Sequence, residues 1–150
     1  IFLYGISNGG RVVLHGASKL TTDKIKGVIS EAPAAAGRKL GDLKVPTIIA
    51  QGKMDNWGGR FGTDYIWKRT FPFSPISVEK WVQSLQENER PIRFIFYKNA
   101  GHSFHSGSLE RVSQVRVGGA SFTAYLGAVE GVVAQYERDV FAFVKENMAR

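Results

Sequence analysis

With 150 residues, 43% of them hydrophobic and 22% charged, the chain has the composition of an ordinary folded domain and the length to bury a core. It contains no cysteine, which excludes disulfides, thiolate metal sites and cysteine nucleophiles, and no apolar stretch approaches the roughly 18 residues that span a bilayer. The net charge of +7 suits attraction of an anionic substrate, but basic residues such as Lys19, Lys39, Arg69 and Arg116 are scattered rather than striped, so no nucleic-acid partner is expected.

The chain opens on Ile1-Phe2-Leu3-Tyr4, an apolar run with no initiator methionine and no basic lead, ending at Gly5. Such a run predicts a fully buried parallel strand already inside a fold. We therefore expect the C-terminal portion of a longer protein, with any signal peptide upstream and the compartment undetermined. A helix is predicted from Asn8 to Ser18, then a short strand from Ile25 to Ile29. A third strand, Val45 to Gln51, enters through Pro46 and stops at Gly52. Ser77 is placed as the N-cap of a helix reaching about Glu87, with Val78, Val82 and Leu85 on one face. Pro91 introduces a fourth strand, Ile92 to Tyr97. The last helix is predicted over Thr123 to Met148, because Leu126, Val129, Val133, Tyr136, Val140, Val144 and Met148 recur at spacings of three and four. Alternating strands and helices predict a parallel sheet of about four strands, helices on its faces and no internal domain boundary. Two segments, Asn56 to Pro75 and Ser103 to Phe122, break the rhythm.

Ligands of open parallel sheets bind beyond the carboxyl ends of the strands. Four segments lie there: Gly5-Ile6-Ser7-Asn8-Gly9, Glu31-Ala32-Pro33, Gly52-Lys53-Met54-Asp55 and Ala100-Gly101-His102. The first matches G-x-S-x-G in its strand–turn–helix setting, where a strained serine is lifted above the sheet edge. Gly5 and Gly9 are expected to be required where strand and helix nearly touch, with Gly10 extending that approach. The backbone N–H of Asn8, at the positive end of the helix, is the expected oxyanion donor. The alternative is a glycine-rich turn with an inert serine.

A serine nucleophile needs a base, and the base needs an orienting acid. The chain has three histidines. His102 directly follows a strand and is the expected base; His105 lies inside a loop, and His15 sits along the first helix. Asp55 follows the third strand and completes the chain order serine, acid, histidine. Asp64 is the reserve acid, and an ordinary turn aspartate is the alternative for Asp55. Glu31 reads as a rim residue that contacts substrate or is simply solvated. Trp57, Phe61, Tyr65, Trp67, Phe71 and Phe73 wall a substrate pocket or pack an inserted loop onto the domain. Gly118-Gly119 is a hinge or an ordinary turn. This chemistry calls for no metal and no cofactor.

Taken together, the elbow Gly5 to Gly10, the Val45-Pro46 strand leading to Asp55, and Ala100-Gly101-His102-Ser103-Phe104 resemble the C-terminal half of a dienelactone hydrolase-like protein of the α/β-hydrolase superfamily. The resemblance covers nearly the whole chain and implies cleavage of a small-molecule ester or lactone by Ser7, His102 and Asp55. Ser7 stands where dienelactone hydrolases proper carry cysteine, which favours a general carboxylic-ester activity. The resemblance also implies strands before Ile1, including the loop that donates a second oxyanion N–H. Without them the first strand is a bare edge open to self-association, and catalysis is weaker. Two other readings are kept: a serine peptidase of the prolyl oligopeptidase type, and a non-catalytic domain of the same fold.

Overall fold

Two runs of the chain are buried at every position, Gly27–Glu31 (β2) and Thr47–Gly52 (β3). Such burial requires cover on both faces of a sheet. They form the middle of a four-stranded parallel sheet ordered β1-β2-β3-β6, flanked by Phe2–Ile6 (β1) and Ile92–Tyr97 (β6). The computed structural model describes residues 1–20, 23–33, 43–55, 65–68, 74–77, 91–117 and 120–149. In register, Ile6 lies beside Glu31, Glu31 beside Ala50 and Gly52 beside Tyr97, so the carboxyl ends of all four strands form one rim.

Alternation along β3 sends Ile49 to one face and Ile48 to the other. Ile49 packs with Val28 and Ile92 against Leu14 and Ala17 of α1 (Asn8–Lys19). Ile48 and Ile29 pack against Phe143 of the C-terminal helix, α2 (Glu130–Met148). Among the described residues, α1 covers one face of the sheet and α2 the other, as the strand–helix alternation predicts. Strand β6 has the predicted bounds, and α1 runs one residue further than expected. The strand expected over Ile25 to Ile29 instead starts at Gly27; Ile25 is buried in the lead-in, so its apolar character reports the core and not the ladder.

The largest correction falls before α2. Residues Ala120–Leu126 form a strand, β8, pairing antiparallel with β7 (Glu110–Val117) across a bulge between Val112 and Val115. The sequence there alternates polar Ser121, Thr123 and Tyr125 with apolar Phe122, Ala124 and Leu126, a period of two that outranks the helical spacing of Leu126 and Val129. Gly127, at φ 70°, ends the strand, and α2 starts at Glu130. The buried stripe of α2 also moves. Tyr136, Phe143 and Asn147 are buried, while Met148 and Val129 are exposed. Ser77 ends a short strand, β5 (Ser74–Ser77), paired antiparallel with β4 (Tyr65–Lys68). The helix expected over 78–87 lies outside the described residues. Among the described residues, no helix is long and apolar enough to cross a membrane, and no cluster of His, Cys, Asp and Glu could hold a metal.

Three tyrosines make the fold sensitive to alkali. The Tyr97 hydroxyl donates to Asp139 Oδ2 at 2.7 Å, joining β6 to α2. Burial first, and then the Asp139 carboxylate, raise its pKa above the ordinary range. Burial and the Glu31 carboxylate do the same for Tyr136 and Tyr4. Because the folded-state values lie above the unfolded value of about 10, the stability linked to these groups is intact below about pH 10 and is lost as pH rises beyond it. Melting temperature is therefore expected to hold below about pH 10 and fall above it. A melting temperature unchanged well above about pH 10 would contradict this.

Candidate active site

Ser7 occupies the corner between β1 and α1 with φ 55° and ψ −118°, a backbone region that costs a non-glycine residue about 1–3 kcal/mol. A serine at a helix N-cap ordinarily turns its hydroxyl back to the first-turn N–H groups, worth about 1 kcal/mol. Ser7 makes no such cap bond; its Oγ lies 2.9 Å from Nε2 of His102. Its backbone N–H donates to the Glu31 carbonyl at 2.9 Å, which anchors the corner on β2.

The elbow glycines have unequal roles. A Cβ on Gly5 would sit 2.3 Å from the Gly9 carbonyl oxygen, and one on Gly10 would sit 2.9 Å from Ser30 Oγ and 3.1 Å from Gly5 O. At Gly9 a Cβ would meet nothing within 4 Å among the described residues. The expectation that Gly9 is sterically required is thus corrected: the strand–helix crossing is tight at Gly5 and Gly10, while no described residue crowds Gly9. Asn8 is the first residue of α1, in the turn whose N–H groups have no intrahelical acceptor.

Asp55 and His102 are each 6% exposed. His102 Nδ1 lies 2.9 Å from Asp55 Oδ2, and the same oxygen accepts the Gln51 side-chain amide at 2.6 Å. This contact favours the imidazole tautomer with its proton on Nδ1, which leaves Nε2 free to accept the Ser7 hydroxyl proton. Two strand-end turns are docked on each other to bring the pair together. Met54 N–H donates to Ala100 O at 2.8 Å and Lys53 N–H to Tyr97 O at 2.9 Å. The fit needs Gly52, because a Cβ there would lie 2.4 Å from both Ala100 O and Gly101 O. The far side of His102 is pinned by the hairpin: His102 N–H donates to Tyr125 O at 2.7 Å, and Gly127 N–H to His102 O at 3.1 Å.

The structure therefore brings Ser7, His102 and Asp55 into one hydrogen-bonded line and leaves His105 and His15 out of it. The His105 ring is partly exposed, 3.5 Å from Glu137, and His15 lies about two turns into α1. Glu31 is 0% exposed, which rules out the solvated reading. Its Oε2 accepts the Tyr4 hydroxyl at 2.8 Å, and its Oε1 accepts the His105 N–H at 3.1 Å. Trp57, Asp64, Phe61, Phe71, Phe73, Gly118 and Gly119 lie outside the described residues, and only the backbone is described for Tyr65 and Trp67. Two contributors were not foreseen: Gln51, the polar residue near the end of a fully buried strand, and the hairpin that holds His102. The first had a signal in the sequence, since a glutamine buried on both sides needs a partner.

No family model matches the chain, and no curated protein matches it. Among solved structures it is similar to a protein from Klebsiella pneumoniae subsp. pneumoniae provisionally assigned as a dienelactone hydrolase. The TM-score is 0.60 at 18% identity, over 95% of this chain and 50% of the other. The chain thus spans about half the length of that protein. At this identity the likeness concerns the fold: a parallel four-stranded sheet with flanking helices, a partial α/β-hydrolase-type fold.

Proposed function

We propose that this chain carries the catalytic machinery of a serine hydrolase that cleaves a small carboxylic ester or lactone. The observation that carries the reading is the unbroken line Ser7 Oγ, His102 Nε2, His102 Nδ1 and Asp55 Oδ2, with both contacts at 2.9 Å. His102 takes the Ser7 proton as Oγ attacks the ester carbonyl, forming the tetrahedral intermediate. Asp55 stabilises the imidazolium that results. The N–H of Asn8 and the positive end of α1 bind the oxyanion. His102 returns its proton to the leaving alcohol, and water then releases the acyl group by the same steps in reverse order. The structural likeness to a protein assigned as a dienelactone hydrolase supports hydrolysis as the reaction class, and serine at the elbow favours ordinary esters. A non-catalytic domain of this fold would leave His102 and Asp55 beyond hydrogen-bond reach of the elbow, so the observed distances speak against it.

A fluorophosphonate ester tests the reading, because it phosphonylates only a serine activated in this way. We expect a single covalent adduct on Ser7, located by peptide mass spectrometry and lost on prior unfolding. Folded protein that takes up no label at Ser7 would rule the hydrolase out.

A further inference from the structure

Glu31 is a carboxylate buried to 0% exposure that the proposed reaction does not use. A group of this kind is costly to bury unless its oxygens are occupied, and here both are. The partners come from the two segments that must meet for the site to exist. Oε2 accepts the hydroxyl of Tyr4, in the strand that ends at Ser7. Oε1 accepts the N–H of His105, in the short 3-10 turn Phe104–Ser106 that follows His102. The Glu31 main-chain carbonyl meanwhile receives the Ser7 N–H. The same residue therefore touches the nucleophile's corner, the nucleophile's strand and the base's loop.

The loop's other described contacts include the His105 ring 3.5 Å from Glu137 Oε1. Ser103 is left-handed at φ 48°, so the chain reverses directly after His102. Phe104 is then buried against Tyr97 and Tyr136, with ring centroids 5.3 and 4.9 Å apart. Those ring contacts fix depth but tolerate sliding, whereas a charge-assisted hydrogen bond to a main-chain N–H fixes direction. The buried Tyr136 hydroxyl also faces the Glu31 carboxylate and the Tyr4 hydroxyl.

We propose that Glu31 is a positioning residue of the proposed hydrolase, holding β1 and the His102–His105 turn together so that Ser7 Oγ and His102 Nε2 stay in contact. The inference rests on the Ser7 reading above. Misplacement by about 1 Å costs a reaction of this kind about a hundredfold. Glu31→Leu removes both acceptors; Glu31→Gln keeps an oxygen for the His105 N–H and an amide that can donate to the Tyr4 oxygen; Tyr4→Phe cuts one tie and keeps the ring.

The experiment is hydrolysis of a p-nitrophenyl ester, with kcat expressed per site titrated by the fluorophosphonate, so that only folded and reactive protein is counted. Glu31→Leu is expected to lower kcat by about 10- to 100-fold with KM within about twofold, and Tyr4→Phe by about 3- to 10-fold. Glu31→Gln is expected to recover most of the loss. A purely structural Glu31 would lower the melting temperature and leave kcat per titrated site unchanged in all three, which overturns the proposal. A glutamine variant as slow as the leucine variant also overturns it. If Glu31→Leu does not fold, Tyr4→Phe at wild-type kcat decides against the proposal and a reduced kcat decides for it. Wild-type protein that takes no label sinks the hydrolase reading and this one together, whereas labelled wild type with unaffected variants sinks only the role of Glu31.

Discussion

Replacing Ser7 with alanine is expected to reduce ester hydrolysis by about 10^4- to 10^6-fold, the scale seen when a nucleophile that acts as a unit with its base is removed. Alanine keeps the Cβ and therefore the strained φ of 55°, so the corner between β1 and α1 should survive unchanged. What disappears is the oxygen 2.9 Å from His102 Nε2, and with it the proposed acyl-enzyme. Residual activity would come only from oxyanion binding and substrate orientation. Ser7→Gly should lose as much activity but become more stable by about 1–2 kcal/mol, since glycine enters the positive-φ region without penalty. The contrast is informative because the serine forgoes its helix cap and accepts backbone strain at one position, which makes sense for a reactive group and not for a structural one. Hydrolysis by Ser7→Ala at more than about a tenth of the wild-type rate would place the nucleophile elsewhere.

Gly5→Ala is expected to be strongly destabilising. The added Cβ would lie 2.3 Å from Gly9 O and 2.4 Å from Gly9 C, both main-chain atoms. Neither side can yield cheaply. Gly5 is held in register beside Ser30 of β2, and Gly9 is locked in the first turn of α1. We expect a loss of about 3–5 kcal/mol in urea-induced unfolding, a large share of the roughly 5–15 kcal/mol that a domain possesses. Gly9→Ala provides the control. With no atom of the described residues within 4 Å of its Cβ and a helical backbone, it should be neutral or stabilising by up to about 1 kcal/mol. Gly5→Ala within about 1 kcal/mol of wild type would mean that the elbow is looser than these distances indicate.

These two substitutions also show how far the sequence could be read. The motif Gly5-Ile6-Ser7-Asn8-Gly9 announced a sharp strand–helix turn and a lifted serine, and both are present. It could not say which glycine is crowded, because that depends on the direction each Cβ takes relative to a neighbouring strand. Gly10 is tight against Ser30 of β2, a residue twenty positions away, while no described residue crowds Gly9. The hairpin β7–β8 was hidden for a related reason. Leu126 and Val129 fit the helical spacing of the residues after them, and the period-two alternation before them is short. Only pairing with a bulged strand ten or so residues earlier favours the extended form. Asn147 and Phe143 replaced Met148 on the buried face of α2, since the face is set by where the sheet lies and not by hydrophobicity alone.

By itself the sequence determined the alternating architecture, the parallel sheet and the strand ends on which Ser7, Asp55 and His102 stand. These are consequences of short-range patterns: apolar runs, punctuating glycines and prolines, and chain order. Only the tertiary structure decided that the three side chains meet, with Gln51 on Asp55, the end of β8 on His102 and Glu31 tied to both sides of the site. Those contacts join residues up to 95 positions apart. They depend on register, on the docking of one turn against another and on which buried acceptor faces which donor, and no local pattern in a chain encodes these relations.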